Sequence, residues 1–178
     1  MLILYVQIVN NMFSIYKASV NDRFLIQTLA SQVWENTYGK ILGKEQLDYM
    51  FDRMYSPENI SRQINELQHQ YFIISSDNIP SGYLSIEQKD SDTYIFQKVY
   101  ALPHTHGSGI GRYIMEQGFS YIKSIHPTTF KVELYVNREN PVVGFYKHLG
   151  FKEIATRDHD IGNGYYMNDY IMEIEVRD

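Results

Sequence analysis

The chain has 178 residues, a net charge of −5 and no cysteine, with 44% hydrophobic and 21% charged residues. This length and mixture are typical of one globular domain with a substantial core, and an acidic chain without a basic stripe is not expected to bind nucleic acid. The lack of cysteine excludes disulfides, thiolate metal sites and a cysteine nucleophile, and it favours a cytoplasmic location.

The first eleven residues differ from the rest of the chain. Residues 1–9 are apolar, but they reach only about half of the ~20 residues that a membrane-spanning helix needs. They also lack the basic residues and the small-residue cleavage site of a signal peptide. We therefore expect no membrane association and one domain at 12–178. Residues 1–11 are interpreted as an N-terminal extension of unknown role, with an extra edge strand or a dimer contact as alternatives.

Hydrophobic periodicity predicts the secondary-structure elements in chain order. It predicts a strand at 13–18, a helix capped at Asn21 and Asp22, helices at 44–54 and from 56 to near 69, strands at 71–75, 81–88 and 93–102, a helix at 109–125, a strand at 130–136, a helix at 141–149, and strands at 152–158 and 166–176. The strand at 93–102, the next helix and the strand at 130–136 form a βαβ unit. We therefore expect an α/β fold with a mixed sheet covered on both faces.

Glycines alternate where the strand at 93–102 leads into the next helix. Gly107, Gly109 and Gly111 allow successive amide N–H groups to point into one concavity, next to the positive end of the helix, which is a setting for phosphate. Arg112 adds a positive charge. The segment is not a P-loop, since no Gly-Lys-Ser/Thr follows, and its glycine spacing differs from the dinucleotide fingerprint. A purely structural turn remains the alternative.

Residues 102–112 resemble the acyl-CoA motif of the GNAT N-acetyltransferases, Gln/Arg-x-x-Gly-x-Gly/Ala. Gly109 and Gly111 match the two small positions, whereas His106 stands where the family has Gln or Arg. The resemblance implies that acetyl-CoA is a cosubstrate and that the loop amides hold its pyrophosphate. The cofactor-binding residues implied in this loop are His106, Gly107, Ser108, Gly109, Ile110, Gly111 and Arg112.

Residues 140–151 resemble a second GNAT motif, Asn-x-x-Ala-x-x-Phe-Tyr-x-x-x-Gly-Phe. Asn140 is a natural helix N-cap, and Tyr146 occupies the tyrosine position. In the family this tyrosine protonates the departing thiolate, and a phenol of pKa ~10 can supply a proton to a thiolate whose acid has a pKa of ~8.5. The resemblance also implies that Asn140 and Asn137 contact the pantetheine arm. Without the resemblance, Tyr146 is equally well explained as a core or rim residue.

The resemblance further implies the GNAT fold, a mostly antiparallel mixed sheet of about seven strands with helices on both faces. Its parallel pair, here the strands at 93–102 and 130–136, splays apart and forms the acyl-CoA cleft. The backbone around Val99, Tyr100 and Ala101 would then bind the pantetheine like an added strand, and one amide would polarise the thioester carbonyl.

The proton acceptor for the attacking amine is less clear in the sequence. An amine of pKa ~10 is almost wholly charged at pH 7, so its proton must be removed. Many GNAT enzymes use a glutamate on the fourth strand, and the matching residue here is Gln97, which is no base. Gln97 is predicted to position the substrate or a water instead. The candidate carboxylates are Glu133, Asp158 and Asp169.

The acceptor is indicated by two further segments, residues 34–38 and 162–172, which look like the PaiA-type branch of the family. That branch includes polyamine acetyltransferases. The analogy implies that an amine pocket is shaped by Trp34, Tyr38 and the group of Asp158, Asp160 and Asp169. The rings would hold the alkyl chain and the carboxylates would hold distal ammonium groups. Trp34 is also an excellent core residue, and that alternative stays open.

The preferred function is therefore acetyl transfer from acetyl-CoA to a small-molecule primary amine such as a polyamine. The alternatives are a protein or peptide N-acetyltransferase and a non-catalytic CoA-binding regulatory module, the latter because Gln97 replaces the base. No metal is expected, since His104 and His106 have no third ligand nearby in the pattern. The expected partners are acetyl-CoA and the amine, and a homodimer is kept open.

Overall fold

The computed structural model describes residues 13–177, so the predicted extension at 1–11 lies outside the described residues. The strands are β1 (Phe13–Lys17), β2 (Gln70–Ser76), β3 (Ile79–Gln88), β4 (Thr93–Ala101), β5 (Phe130–Asn137), β6 (Lys152–Gly162) and β7 (Tyr165–Val176). The helices are α1 (Arg23–Tyr38), α2 (Lys44–Tyr55), α3 (Pro57–Asn65), α4 (Ile110–Ile125) and α5 (Val143–His148). The strands form a seven-stranded sheet in the order β1-β2-β3-β4-β5-β7-β6, in which β4 and β5 are parallel and the other neighbours antiparallel. The predicted fold class is confirmed.

Helices cover both faces of the sheet. Successive residues of a strand point to opposite faces, so one strand can contribute side chains to both cores. On β2, Ile73 packs in the core formed with α1, α2 and α3, whereas Ile74 packs in the core formed with α4 and α5. We call these sides the α1 face and the α4 face. None of the helices within residues 13–177 combines the length and apolar composition that a bilayer crossing requires.

The parallel strands β4 and β5 separate after a short paired stretch. Their register joins Thr93 to Lys131 and Ile95 to Glu133, and within the described sheet it continues no further. On its other edge β4 carries a bulge, since Phe96 pairs with Ile86 but the next paired residue, Lys98, faces Ser85. A bulge bends the strand that carries it. β4 and β5 thus leave a gap between their carboxyl-terminal halves, as predicted.

Asp22 is the N-cap residue of α1, as predicted, but its carboxylate accepts from the Ser19 amide of a preceding 3-10 turn instead of from an amide of α1. Two other helix ends differ from their predicted positions. α3 ends at Asn65 rather than near 69, and Gln68 then adopts a left-handed φ of 57° before β2. α5 begins at Val143, because residues 141 and 142 form a turn before the helix; Asn140 caps that turn, since its Oδ1 accepts from the Val142 amide.

Candidate active site

The gap between β4 and β5 opens into a cleft of about 790 Å³ that has lining residues on both faces of the sheet. This volume lies in the range of small-molecule sites. α1 contributes from one face, and α4, α5 and the loop after β4 contribute from the other. The residues predicted for the site that line the cleft are Tyr38, Gln97, Val99, Tyr100, Ala101, His106, Gly107, Gly109, Ile110, Gly111, Arg112, Asn140 and Tyr146.

The glycine loop brings backbone amides to the cleft at the start of α4. Gly107 and Gly109 have φ values of 81° and 94°, a left-handed backbone that strains residues with a side chain, and a Cβ at either would project into open space. Gly109 is the N-cap of α4, so the first amides of the helix have no intrahelical acceptor. The ring Nε2 of His106 lies 3.0 Å from the Ala101 carbonyl oxygen, which ties the loop to the end of β4. This arrangement suits an anionic group.

The two sequence motifs meet across the cleft. A Cβ on Gly111 would lie 3.3 Å from Cζ of Phe145, so α4 and α5 approach closely at this point. The next residue, Tyr146, is buried, and its ring packs edge-on against Phe151. Burial raises the pKa of the Tyr146 hydroxyl above its usual value, and nearby Tyr38 adds to the rise. Tyr146 therefore stays protonated at neutral pH and is chemically suited to donate a proton.

On the α1 face the cleft is lined by hydroxyl and amide side chains. We call this part of the lining the acceptor side; its residues are Asn36, Thr37, Tyr38, Gln97, Tyr100 and Tyr135. The hydroxyl oxygens of Tyr38 and Tyr100 are 2.8 Å apart and share a hydrogen bond. Burial is the main cause of the raised pKa of both phenols. The acceptor side therefore presents neutral polar groups and aromatic rings.

A buried ion pair lies behind Tyr135. Asp169 is 2% exposed, and its Oδ2 accepts from Nε and Nη2 of Arg157 at 3.1 and 3.0 Å. The guanidinium carbon of Arg157 lies 3.8 Å from the Tyr135 ring centroid. Burial raises the pKa of Asp169, against the opposing effect of Arg157. Asp169 is not among the lining residues, although its charge influences the Tyr38 hydroxyl.

The other candidate carboxylates are engaged elsewhere. Both oxygens of Glu133 accept from Lys89 Nζ at 2.9 Å, and Asp158 is bound to Arg138 at the surface. Neither carboxylate lines the cleft. Within residues 13–177, no three His, Asp or Glu side chains are grouped so that they could hold a metal ion.

A model of the acetyltransferase (GNAT) domain family matches residues 40–174, about three quarters of the chain. The chain belongs to the GNAT acetyltransferase family. It is therefore an acyltransferase, and the resemblance carried by the glycine loop and by residues 140–151 is confirmed.

Solved structures share the GNAT fold along nearly the whole chain. The PaiA N-acetyltransferase of Thermoplasma acidophilum, crystallised with coenzyme A, is 23% identical with a TM-score of 0.76 over 93% of this chain and 99% of that chain. The spermidine/spermine N-acetyltransferase of Vibrio cholerae is 20% identical with a TM-score of 0.63, over 92% and 95%. The ribosomal-protein-S18-alanine N-acetyltransferase of Escherichia coli is 16% identical with a TM-score of 0.64, over 93% and 95%. At these identities the likeness concerns the fold.

Some residues predicted for the GNAT site lie outside the cleft lining. Trp34 is buried in the α1 core and donates from Nε1 to the Leu47 carbonyl at 3.0 Å. Ser108 donates to the Thr105 carbonyl, and Asn137 Oδ1 accepts from the Glu139 amide. Each of these side chains thus supports the local backbone or the core rather than the cleft.

Three other lining residues were not predicted for the site. Asn36 and Thr37 come from the last turn of α1, and Tyr135 comes from β5. Side chains alternate between the two faces along β5, so Tyr135 points away from the face that holds buried Leu134 and Val136. This alternation is the sequence signal from which Tyr135 could have been predicted. For the end of α1, periodicity gives no such signal, because its place beside β4 depends on the tertiary fold; the resemblance of residues 34–38 was the only indication.

Proposed function

We propose that this GNAT enzyme transfers an acetyl group from acetyl-CoA to a primary amine of a small molecule. The main support is one cleft that joins the glycine loop, Tyr146 and the acceptor side. Acetyl-CoA would supply an acyl group activated as a thioester.

The loop residues suit a phosphate-bearing cosubstrate. The left-handed Gly107 and Gly109 leave space where side chains would otherwise project, and the free amides at the start of α4 favour negative charge. Arg112 lines the same part of the cleft. In this proposal residues 107–112 hold the pyrophosphate, while Asn140 and the β4 backbone from Val99 to Ala101 hold the pantetheine arm.

Each of two side chains has one task in the transfer. The amine, in its neutral form, bonds through nitrogen to the acetyl carbon and gives a tetrahedral intermediate. This intermediate collapses as the carbon–sulfur bond breaks, and Tyr146 gives its proton to the departing sulfur. The proton lost by the amine passes to water, and water reprotonates Tyr146. The side-chain amide of Gln97 is not a base and does not take the proton of the amine. It orients the amine through its amide oxygen.

A small amine with an alkyl chain suits the acceptor side. The rings of Tyr38, Tyr100 and Tyr135 offer apolar contact and cation–π attraction, and the charge of Asp169 acts on the Tyr38 hydroxyl. The likeness in fold to the Vibrio cholerae spermidine/spermine enzyme supports a polyamine. The likeness to the Escherichia coli enzyme keeps a protein amine as the second candidate.

A panel of acceptors tests this proposal. Purified protein is incubated with acetyl-CoA and diamines, polyamines, single amino acids or peptides, and both free CoA and acetylated product are quantified by mass spectrometry. We expect equal amounts of CoA and acetylated small amine. Acetylation of peptides alone would favour the protein acetyltransferase, and binding of acetyl-CoA without any transfer would favour the regulatory module.

Substitution of Tyr146 tests its task within the same reaction. Tyr146→Phe should lower kcat by roughly 100-fold, because the proton for the departing sulfur is lost, and should leave the affinity for acetyl-CoA nearly unchanged. Tyr166→Phe is the matched control, since Tyr166 is 48% exposed and does not line the cleft. An unaltered kcat in Tyr146→Phe would remove this residue from the mechanism.

A further inference from the structure

Gln97 occupies the bulge of β4. Phe96 pairs with Ile86 and Lys98 pairs with Ser85, so Gln97 is the extra residue that has no partner on β3. Bulges redirect the side chains that they carry. Gln97 is half-buried and belongs to the cleft lining at the point where β4 has left β5.

The amide of Gln97 has one orientation because of its partner. Nε2 of Gln97 donates to Oε2 of Glu87, the neighbouring strand's carboxylate, at 2.6 Å. An ionised carboxylate only accepts hydrogen bonds, so the amide nitrogen must face Glu87 and the amide oxygen must face away from it. No other described residue hydrogen-bonds to the Gln97 amide oxygen. The amide oxygen of Gln97 thus remains available to accept a hydrogen bond on the cleft side.

Glu87 is held in turn by the α1 face. Nε2 of buried His69 lies 3.5 Å from Glu87 Oε2, and the buried ammonium of Lys98 contributes a positive charge nearby. His69 and Lys98 thus hold the Glu87 carboxylate beside the Gln97 amide.

We propose that Glu87 is a positioning residue that aims the amide oxygen of Gln97 at the N–H of the acceptor amine. This inference rests on the proposed amine acetyltransferase function. When the amine donates one N–H to Gln97, its orientation in the cleft is fixed. A fixed orientation with the nitrogen lone pair towards the acetyl carbon favours attack. Glu87 touches no substrate, so its effect on turnover passes entirely through Gln97.

A double-substitution cycle tests this dependence. Glu87→Met should lower kcat by roughly 10- to 100-fold, with the KM for acetyl-CoA unchanged, because the amine loses its orientation. Gln97→Met should lower kcat at least as much, and the double variant should be no slower than Gln97→Met alone. If the reduction in kcat in the double variant equalled the product of the reductions in the two single variants, Glu87 would act independently of Gln97 and the inference would be contradicted.

Glu66→Met is the matched control, since Glu66 is a surface glutamate paired with Arg62. It should leave kcat unchanged. A loss of acetyl-CoA affinity or folding in Glu87→Met, with kcat retained, would show a merely structural role and overturn the inference.

The side-chain amide resonances of Gln97 give a second readout that needs no substrate. In ¹⁵N-labelled protein, one amide proton of Gln97 should show the downfield shift of a hydrogen bond to a carboxylate, and the shift should vanish in Glu87→Met. A shift that survives this substitution overturns the inference alone. A wild-type protein that acetylates no amine overturns the proposed function and this inference together, whatever the spectrum shows.

Discussion

Gly109 shows at the scale of one residue how backbone shape and charge act together. Its φ of 94° disfavours most side chains, but Asn and Asp adopt left-handed backbone more readily than others, and the space around a Cβ here is open. Gly109→Asp and Gly109→Asn therefore carry a similar backbone cost and differ in charge. We expect the Asp variant to bind acetyl-CoA at least tenfold more weakly than the Asn variant, because a carboxylate would face the phosphates.

Calorimetric titration of both variants measures this difference, and added salt should narrow it. Equal affinities for the two variants would mean that the phosphates lie elsewhere.

Residues in local motifs could be predicted from the sequence, and residues in tertiary contacts could not. Gly109 and Tyr146 stand in contiguous patterns whose chemistry can be read directly. Glu87 was not predicted, because its contact with Gln97 depends on the register of two strands and on a bulge. The Tyr38–Tyr100 hydrogen bond joins residues 62 positions apart, and only the packing of α1 on β4 creates it.

At the scale of elements, α4 packs on β3 and β4 through Gly118. A Cβ on this residue would lie 2.5 Å from Cζ of Phe96 and 3.1 Å from Leu84. Gly118→Ala should therefore lower the free energy of unfolding by about 1–3 kcal/mol, because the buried rings must move.

Gly144→Ala is the opposite case, since Gly144 is exposed in α5 and a Cβ there meets nothing within 4 Å. It should raise the free energy of unfolding by about 0.5–1 kcal/mol, because alanine loses less backbone entropy in a helix. Urea unfolding measures the free energy of unfolding of both variants. If Gly118→Ala were as stable as the wild type, the packing of α4 against Phe96 and Leu84 would be looser than the structure indicates.

The elements themselves could be predicted, but several of their ends could not. Alternation and helical spacing identify the strands and α-helices found within residues 13–177, because these periods follow from which face is buried. The ends depend on single hydrogen bonds. Asn140 was expected to cap α5; its side chain does accept from the amide two residues on, but it caps a turn and the helix begins only at Val143.

At the scale of the whole molecule, Lys98 makes stability depend on pH. It is buried in the α1 core, its Nζ donates to Gln63 Oε1 at 2.9 Å, and burial lowers its pKa to about 8. The unfolded chain keeps this proton up to a pKa of ~10.4, so between pH 8 and 10 the unfolded state binds more protons than the folded state. The free energy of unfolding contributed by Lys98 therefore rises with pH in this window.

Lys98→Met removes that contribution. The difference in free energy of unfolding between wild type and variant should shift in favour of the wild type from pH 8 to 10. Buried tyrosines, whose raised pKa values act in the opposite direction above pH ~10, are common to both proteins and cancel. Urea unfolding across this pH range measures the difference, and parallel curves would mean that Lys98 titrates as it does in the unfolded chain.

The family could be inferred from sequence, whereas the acceptor could not. Two short motifs indicate the family because each is contiguous in the sequence. The acceptor side combines the end of α1, the bulge of β4 and one face of β5, and no local pattern reveals that these meet.

The most direct test of the account is a calorimetric titration of the folded wild-type protein with acetyl-CoA. We predict saturable binding of one acetyl-CoA per chain, at an affinity that weakens with salt because phosphates are held by amides and Arg112. No binding by a sample whose fold is verified by circular dichroism would contradict the assignment of the glycine loop and of the cleft.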